Sequence, residues 1–183
     1  MAALLTGTGK QGVMSQEGFF SGAALAALDD KGRIALPAGF RKFLPSDVSA
    51  RQLFVTTHES APCLIGSGVD RIARIRARID RSEELAAQQG KEFDRAAMAR
   101  VLVGPGDIVP MDGSGRFTLS DILIEVAEFE GELFLYGAGE YFEIWDIARL
   151  LSMTEPGYAM AQTAARAALR VREKQAAKKA AGK

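Results

Sequence analysis

Two Asp-x-x-x-Arg motifs hold the side chains whose type and spacing best fit a chemical role. The segment LDDKGRIALP carries Asp29 and Arg33, and a diverged copy, MDGSGRFTLS, carries Asp112 and Arg116. Arginine presents a planar fork of N–H donors that can bridge guanine O6 and N7, but an aspartate nearby can hold the same fork in an ion pair. Each motif could therefore either contact nucleic acid or stabilise a turn.

A tight turn is predicted to position each pair. Gly32 and Gly115 directly precede the two arginines. Glycine adopts a positive φ without steric penalty, so each motif fits a three-residue hairpin loop whose last member is left-handed. Asp29 and Asp112 would face the arginines across the strands and accept hydrogen bonds from backbone N–H groups in the turn. Beyond the turn, apolar and other residues alternate, which places both arginines on the face away from the core.

The two motifs belong to a duplicated unit that makes up most of the chain. Phe54 in RQLFVTTHESAPCLIG corresponds to Phe134 in GELFLYGAGEYFEIWD, and each of these segments is predicted to form a second hairpin. Each half is thus predicted as strand, tight turn, strand, short helical turn, strand, loop, strand. Pro37 suits the first position of one helical turn, and Ser120 suits the N-cap of the other.

Three segments resemble the MraZ family of bacterial transcriptional regulators. They are FFSGAALAALDDKGRIALPAGFRKFL, LVGPGDIVPMDGSGRF and YFEIWD, and the likeness covers roughly residues 20–150 in order. The resemblance implies a mixed α+β, mainly β fold in which two AbrB-like swapped-hairpin half-units interleave in one chain as a pseudo-dimer. It also implies a ring-shaped homo-oligomer that binds direct repeats in promoter DNA of the division and cell-wall gene cluster. Repression is the expected effect, with activation left open.

The resemblance further implies which side chains contact DNA. Arg33, with Lys31 and Arg41, would face the major groove, with arginine contacting base edges and lysine anchoring phosphate. Arg116 would contribute less, because the second half has Ile124 where the first has Arg41. Sequence alone leaves Arg41 open between a solvated surface cation and a DNA contact. The residues expected to shape the turns are Asp29, Gly32, Asp112 and Gly115.

Five segments are predicted along the 183 residues, a length that suits one ordinary domain or two small intertwined ones. They are a flexible N-terminal extension (1–18), a first AbrB-like repeat (19–70), connecting helices (71–106), a second AbrB-like repeat (107–150), and a C-terminal helix with a basic tail (151–183).

Charge is distributed unevenly although the net charge is zero. Residues 31–100 contain 13 Lys and Arg against 8 Asp and Glu, whereas residues 107–155 contain 2 against 11 and residues 166–183 contain 7 against 1. A basic surface attracts phosphate. If one repeat contacts DNA, the first is therefore the better candidate.

Two helices are predicted between the repeats. In VDRIARIRARI, apolar residues from Val69 to Ile79 form one stripe and the arginines fall largely on other faces, so this helix could either pack with a solvated basic face or contact DNA. Packing is favoured, because no helix-turn-helix arrangement is visible. The second helix is predicted over 92–103. The alanine-rich C-terminal helix could add attraction to DNA or serve only as a solubilising end.

The residue types needed for catalysis or metal binding are scarce. The single cysteine, Cys63, and the single histidine, His58, exclude an intramolecular disulfide and a structural zinc site within one chain. GTGKQG, residues 7–12, formally matches a dinucleotide-binding fingerprint but lacks the flanking strand and helix. We predict no enzyme, no cofactor and no small-molecule substrate.

Apolar runs fall short of a membrane span, and the first residues are a poor secretory signal. We therefore expect a soluble, cytoplasmic, nucleoid-associated protein without a membrane partner. The rival to double-stranded promoter DNA as partner is another protein. In that alternative the oligomer is an interaction scaffold and the arginines are structural.

Overall fold

A computed structural model describes residues 19–45 and 51–182 of the chain. Its strands are β1 Ala23–Ala26, β2 Arg33–Ala35, β3 Gln52–Thr57, β4 Leu64–Gly68, β5 Asp107–Pro110, β6 Arg116–Thr118, β7 Leu133–Gly137 and β8 Phe142–Asp146. Its helices are α1 Ala38–Arg41, α2 Arg71–Gln88, α3 Arg95–Val103, α4 Asp121–Ala127, α5 Ile147–Ser152 and α6 Ala159–Ala181, with a 3-10 turn, Pro156–Tyr158, before α6. The expected mixed, mainly β class with a C-terminal helix is confirmed. The predicted N-terminal extension and the GTGKQG segment lie outside the described residues.

Strands from the two halves of the chain are interleaved within one antiparallel sheet. The sheet order is β1-β7-β8-β4-β3-β5, and β2 pairs with β6 in a separate two-stranded ribbon. Each outer strand pairs with the other half, β1 with β7 and β5 with β3, while β4 and β8 meet at the centre. Exchanging the two halves leaves this order unchanged. The sequence duplication is therefore expressed as an approximate two-fold symmetry of the strand pairing.

The sheet separates two apolar layers. Leu53, Leu133 and Ile144 lie in the main core together with the ribbon, α1 and α4. Their neighbours Phe54 and Trp145 point to the other face, where Phe54 contacts α2 and α3 and Trp145 contacts α5 and α6. Side chains alternate across a strand. The ribbon therefore lies on the opposite face of the sheet from α2, α3, α5 and α6.

Four aromatic rings pack against one another in the main core. Phe142 is fully buried, and its ring makes edge contacts with Phe20 at 5.1 Å and Phe40 at 5.6 Å between centroids. Gly66 on the neighbouring strand leaves the space that this ring occupies, since a Cβ there would collide with it. Phe20 also contacts Phe43 at 5.9 Å. The start of the first half is thereby packed against the last strand of the second.

Helix ends differ from the predicted positions by one to three residues. The predicted helix over 92–103 begins only at Arg95, because the Asp94 side chain accepts a hydrogen bond from the Ala97 N–H at 2.8 Å and caps the helix there. Pro37 precedes α1 at the N-cap instead of occupying its first turn. Ser120 is the N-cap residue of α4, as predicted.

Helix α6 packs on the sheet through small residues in its first half. Ala161 and Ala165 are buried against Trp145, whose ring also contacts Tyr158 at 5.3 Å. From residue 170 to its end at Ala181 the helix is exposed. Across residues 19–45 and 51–182, no helix is both long enough and apolar enough to span a membrane.

Two adjacent phenylalanines offer a matched test of this packing. Phe20→Ala should lower the free energy of unfolding by about 3–5 kcal/mol, because it removes a fully buried ring from the aromatic cluster. Phe19→Ala should change it by less than about 0.5 kcal/mol, since that side chain is 61% exposed. Chemical denaturation of both variants measures the difference, and equal destabilisation would contradict the described burial of Phe20 beside an exposed Phe19.

Candidate nucleic-acid interface

The ribbon of β2 and β6 presents both motif arginines on one outer face. Ile34 lies opposite Phe117 in the antiparallel register, and both are buried in the core. Arg33 and Arg116 therefore point the other way, and their side chains are 40% and 47% exposed. Thr118, directly across from Arg33, completes the polar outer face. The alternation predicted for both strands is confirmed.

The first turn is organised by the carboxylate of Asp29. Its Oδ1 accepts hydrogen bonds from the N–H groups of Lys31 at 3.0 Å and Arg33 at 2.9 Å. Its Oδ2 accepts the Nε of Arg33 at 2.8 Å and lies 2.7 Å from Nη2 of the same guanidinium. Gly32 has a φ of +69°, as the turn prediction requires. One carboxylate thus shapes the turn and holds the guanidinium by one edge, which leaves its other N–H donors available.

The second turn repeats the backbone arrangement with a looser ion pair. Oδ1 of Asp112 accepts the N–H groups of Ser114 at 2.8 Å and Arg116 at 2.9 Å. Gly115 has a φ of +81°. Nε of Arg116 lies 3.4 Å from Oδ2 of Asp112, a longer contact than its counterpart in the first turn. Arg116 is therefore less firmly oriented than Arg33.

Backbone donors lower the pKa of both turn aspartates. The N–H of Arg33 is the largest cause of the lowered pKa of Asp29, followed among the stabilising contacts by the Arg33 side chain. The N–H of Arg116 has the same leading effect on the pKa of Asp112. Hydrogen bonds to a carboxylate favour its charged form. The turns are therefore built around ionised aspartates.

The two turns lie at opposite ends of the ribbon, and Arg41 belongs to the second turn. Because three paired residues separate them, the turns are about 10 Å apart along the strands. Sequence reasoning expected Arg41 beside Arg33, but its Nη1 donates a hydrogen bond to the Ser114 carbonyl oxygen at 3.0 Å. Lys31 stays exposed on the first turn. The four expected DNA-contacting cations thus divide into two pairs, one at each end of the ribbon.

The side chain of Ile124 occupies the place in the first turn that Arg41 occupies in the second. Its Cδ1 would lie 3.2 Å from a Cβ placed on Gly32. The constant offset between the repeats pairs position 41 with position 124, which was visible in the sequence. Which turn each side chain would touch was not visible, because the contacts cross from one half to the other.

Proteins described as transcriptional regulator MraZ match this chain over most of its length. The protein from Methylobacillus flagellatus is 35% identical over 130 residues, which cover 70% of this chain and 81% of that protein. The one from Saccharophagus degradans is 34% identical over 128 residues, covering 69% and 81%, and the one from Pseudomonas putida is 32% identical over 146 residues, covering 75% and 92%. The chain belongs to the MraZ family. No family model matches it.

The arginine-rich helix of this MraZ-family chain does not share a surface with the ribbon. Arg74 pairs with Asp70 at 2.7 Å, and two nitrogens of Arg78 bond the carboxylate of Glu59, one of them at 2.8 Å. The guanidinium of Arg71 stacks over a tyrosine ring at 4.6 Å. These contacts and the position of α2 behind the sheet favour the packing role for this helix.

His58 and Cys63 have structural surroundings. Nδ1 of His58 accepts the N–H groups of Ser60 and Ala61, each at 3.1 Å, which stabilises the loop between β3 and β4. Burial raises the pKa of the Cys63 thiol well above its ordinary range, with the Glu143 charge adding to the effect. A thiol held protonated is a poor nucleophile.

The turn aspartates give a pH-dependent prediction. A lowered folded-state pKa means that these contacts stabilise the fold above the ordinary aspartate pKa of about 3.9 and that this stability is lost as the pH falls through the lowered value. In Arg33→Ala the main backbone donor remains, so the pKa of Asp29 should stay below the ordinary value. Carboxyl titration followed by NMR measures this, with Asp112 as an internal control that should not move. A return of Asp29 to the ordinary value would mean that the guanidinium dominates.

Proposed function

We propose that this MraZ-family chain is a sequence-specific DNA-binding transcriptional regulator. It binds direct repeats in the promoter of the bacterial division and cell-wall gene cluster as a ring-shaped homo-oligomer. The observation that carries the proposal is the outer face of the ribbon, where the two turn arginines stand exposed on one surface. The description of its relatives as transcriptional regulators supports the regulatory role.

The ribbon enters the major groove, whose width admits a two-stranded β-ribbon. Asp29 holds one edge of the Arg33 guanidinium, so the remaining N–H donors are presented to guanine O6 and N7 in a fixed direction. Lys31 lies two residues away, exposed, and anchors phosphate. Arg116 and Arg41 form the other end of the interface, where the looser ion pair of Arg116 makes its contribution smaller.

The half-units are of the AbrB-like, swapped-hairpin type. Support comes from the strand pairing, since β2 pairs with β6 and β1 with β7 although each pair comes from different halves. A short bridge between Leu28 and Ile34 keeps the chain folded back at the first turn. Each turn is therefore the tip of a hairpin whose two strands pair with strands of the other half.

Ring assembly is supported by an uncovered apolar surface formed by α2, α3 and the outer strand β5. A groove of about 240 Å³ runs between α2 and α3, and its apolar lining consists of Phe54, Ile72, Ile75, Ile79, Ala99 and Val103. Beside it Ile108 is 47% exposed, whereas Leu25, its counterpart on the other outer strand, is covered by α6. A second copy of the chain that covers this surface would bury it in the way α6 does. Such a head-to-tail contact closes into a ring when its rotation allows.

A ring multiplies the affinity of a single small interface. Several ribbons on one ring can hold neighbouring repeats, so that binding of the second is intramolecular and its effective concentration is high. Occupation of the promoter then blocks transcription, which is repression by exclusion. The protein acts in the cytoplasm at the nucleoid.

Removal of the first guanidinium tests the interface. Arg33→Ala should abolish selective binding to a duplex carrying the repeats upstream of the protein's own gene, while the oligomer stays intact, because the side chain is exposed. Gel retardation with repeat and scrambled duplexes measures selectivity. Arg81→Ala removes an equally charged, exposed side chain from α2 behind the sheet and should leave selectivity unchanged. Unaltered selectivity in Arg33→Ala would favour a protein-binding scaffold.

The dependence on salt separates DNA from a protein partner. Phosphate contacts release counterions, so log affinity should fall linearly with log salt, and Lys31→Ala should reduce the slope by about 1. Titrations of the repeat duplex at several salt concentrations measure the slope. A flat response in the wild-type protein would contradict the proposal.

Two exposed leucine-sized side chains give a matched test of assembly. Ile108→Glu should dissociate the oligomer, because it places a charge on the apolar surface beside the α2–α3 groove. Leu85→Glu introduces the same charge at a side chain of similar exposure, 50%, near the end of α2, and should leave the oligomer intact. Light scattering after gel filtration gives the mass of each. Dissociation of both or of neither would place the interface elsewhere.

A further inference from the structure

The side chain of Arg41 lies across the glycine of the opposite turn. A Cβ placed on Gly115 would collide with Cδ of Arg41 and would lie 2.9 Å from its Nε. Nη1 of the same side chain donates a hydrogen bond to the Ser114 carbonyl oxygen at 3.0 Å. Arg41 thus contacts two consecutive residues of the turn that immediately precede Arg116.

The position of this guanidinium is set by packing as well as by its hydrogen bond to Ser114. Nε of Arg41 is buried, and among the residues described here it has no hydrogen-bond partner. Withdrawing an N–H from water without a new partner is unfavourable. A side chain that served only as a solvated cation would keep this group hydrated. Arg41 is therefore held against the second turn by its neighbours.

The first turn is covered in the same way by an apolar side chain. Ile124 packs against Gly32 and against the main core. Backbone hydrogen bonds also join each turn to the other half. The Leu36 N–H donates to the Gly115 carbonyl oxygen, and the Leu119 N–H donates to the Gly32 carbonyl oxygen, both at 2.8 Å. Each turn is consequently supported by the helical turn of the other half.

We propose that Arg41 and Ile124 are crossed positioning residues, each of which orients the DNA-contacting arginine carried by the other half. Arg41 acts on Arg116 through Ser114 and Gly115, and Ile124 acts on Arg33 through Gly32. This inference rests on the proposed DNA-binding function and changes the role of Arg41 within it. The guanidinium of Arg41 supports a turn instead of contacting a base edge or phosphate itself.

Crossed support explains how two turns with the same backbone arrangement can orient their arginines with different firmness. Arg33 already has a short two-nitrogen contact with Asp29, and its turn is covered by a stiff β-branched side chain. Arg116 has only a longer contact with Asp112, so its orientation depends more on Arg41. Orienting a long side chain before it binds removes part of the entropy that binding would otherwise cost.

Hydrogen exchange on the full-length protein without DNA tests the crossed contact. Arg41→Met keeps an unbranched side chain over Gly115 and removes the guanidinium. Exchange should accelerate at least about threefold at the amides of the second turn, residues 113–116, and stay unchanged in the first turn, residues 30–33. Ile124→Ala should give the reverse pattern. Acceleration in the turn of the same half, or in neither, would overturn the proposal, and thermal unfolding of each variant checks that the fold is retained.

A double-mutant cycle with the repeat duplex tests the role in binding. If Arg41 acts through Arg116, Arg41→Met should weaken binding about fivefold in the wild-type background and have little effect after Arg116→Ala, a coupling of threefold or more. The control cycle pairs Arg41→Met with Lys31→Ala at the other end of the ribbon, where the effects should add. The slope of log affinity against log salt should be unchanged by Arg41→Met, whereas loss of a direct phosphate contact would lower it by about 1.

The outcomes separate this inference from the function on which it rests. Additive effects at Arg41 and Arg116, or a reduced salt slope in Arg41→Met, would mean that Arg41 contacts DNA directly. Absence of selective binding by the wild-type protein would instead overturn the proposed function. In that case the exchange pattern still decides whether the turns are supported crosswise.

Discussion

The pairing of β2 with β6 is the interaction on which the rest of the structure depends. Three residues of each strand form the ribbon, and one further backbone hydrogen bond joins each turn glycine to the other half. Ile34 and Phe117, one from each half, meet beneath it in the core. Without the partner strand, each half would bury unpaired backbone groups, which is costly. The halves therefore fold as one unit, and the same pairing turns both motif arginines outward.

Much of this arrangement follows from local chemistry that is readable in the sequence. A glycine before each arginine favours a left-handed residue at the end of the turn, and the aspartate three residues before that glycine can accept hydrogen bonds from the backbone N–H groups of the turn. Alternation assigns the arginines to the outer face. The order of elements within each half follows from the duplication. These features depend on residues close together in the chain, so periodicity and turn preferences are sufficient to predict them.

Contacts between the halves could not be obtained in this way. Alternation tells which face of a strand is buried but not which strand lies beside it, so the pairs β1–β7 and β2–β6 could not be predicted, and the family resemblance implied only that the two halves interleave. The same limit misplaced Arg41, whose true neighbour, Ser114, is 73 residues away. Helix α2 illustrates a further case. Its arginines look alike in the sequence, but the ion pair of Arg78 with Glu59 and the position of the helix behind the sheet depend on tertiary packing.

Because two unlike half-units are joined in one chain, the two ends of the ribbon differ from each other. In a dimer of identical chains, any substitution appears twice, so both tips of the ribbon would carry the same side chain over the glycine and the symmetry would suit a palindromic site. Here one tip is covered by Arg41 and the other by Ile124, and only one carries a lysine. In the proposed DNA complex, a duplex lying across this ribbon would meet different side chains at its two ends. In that proposal, the complement of this surface is a site whose two ends differ.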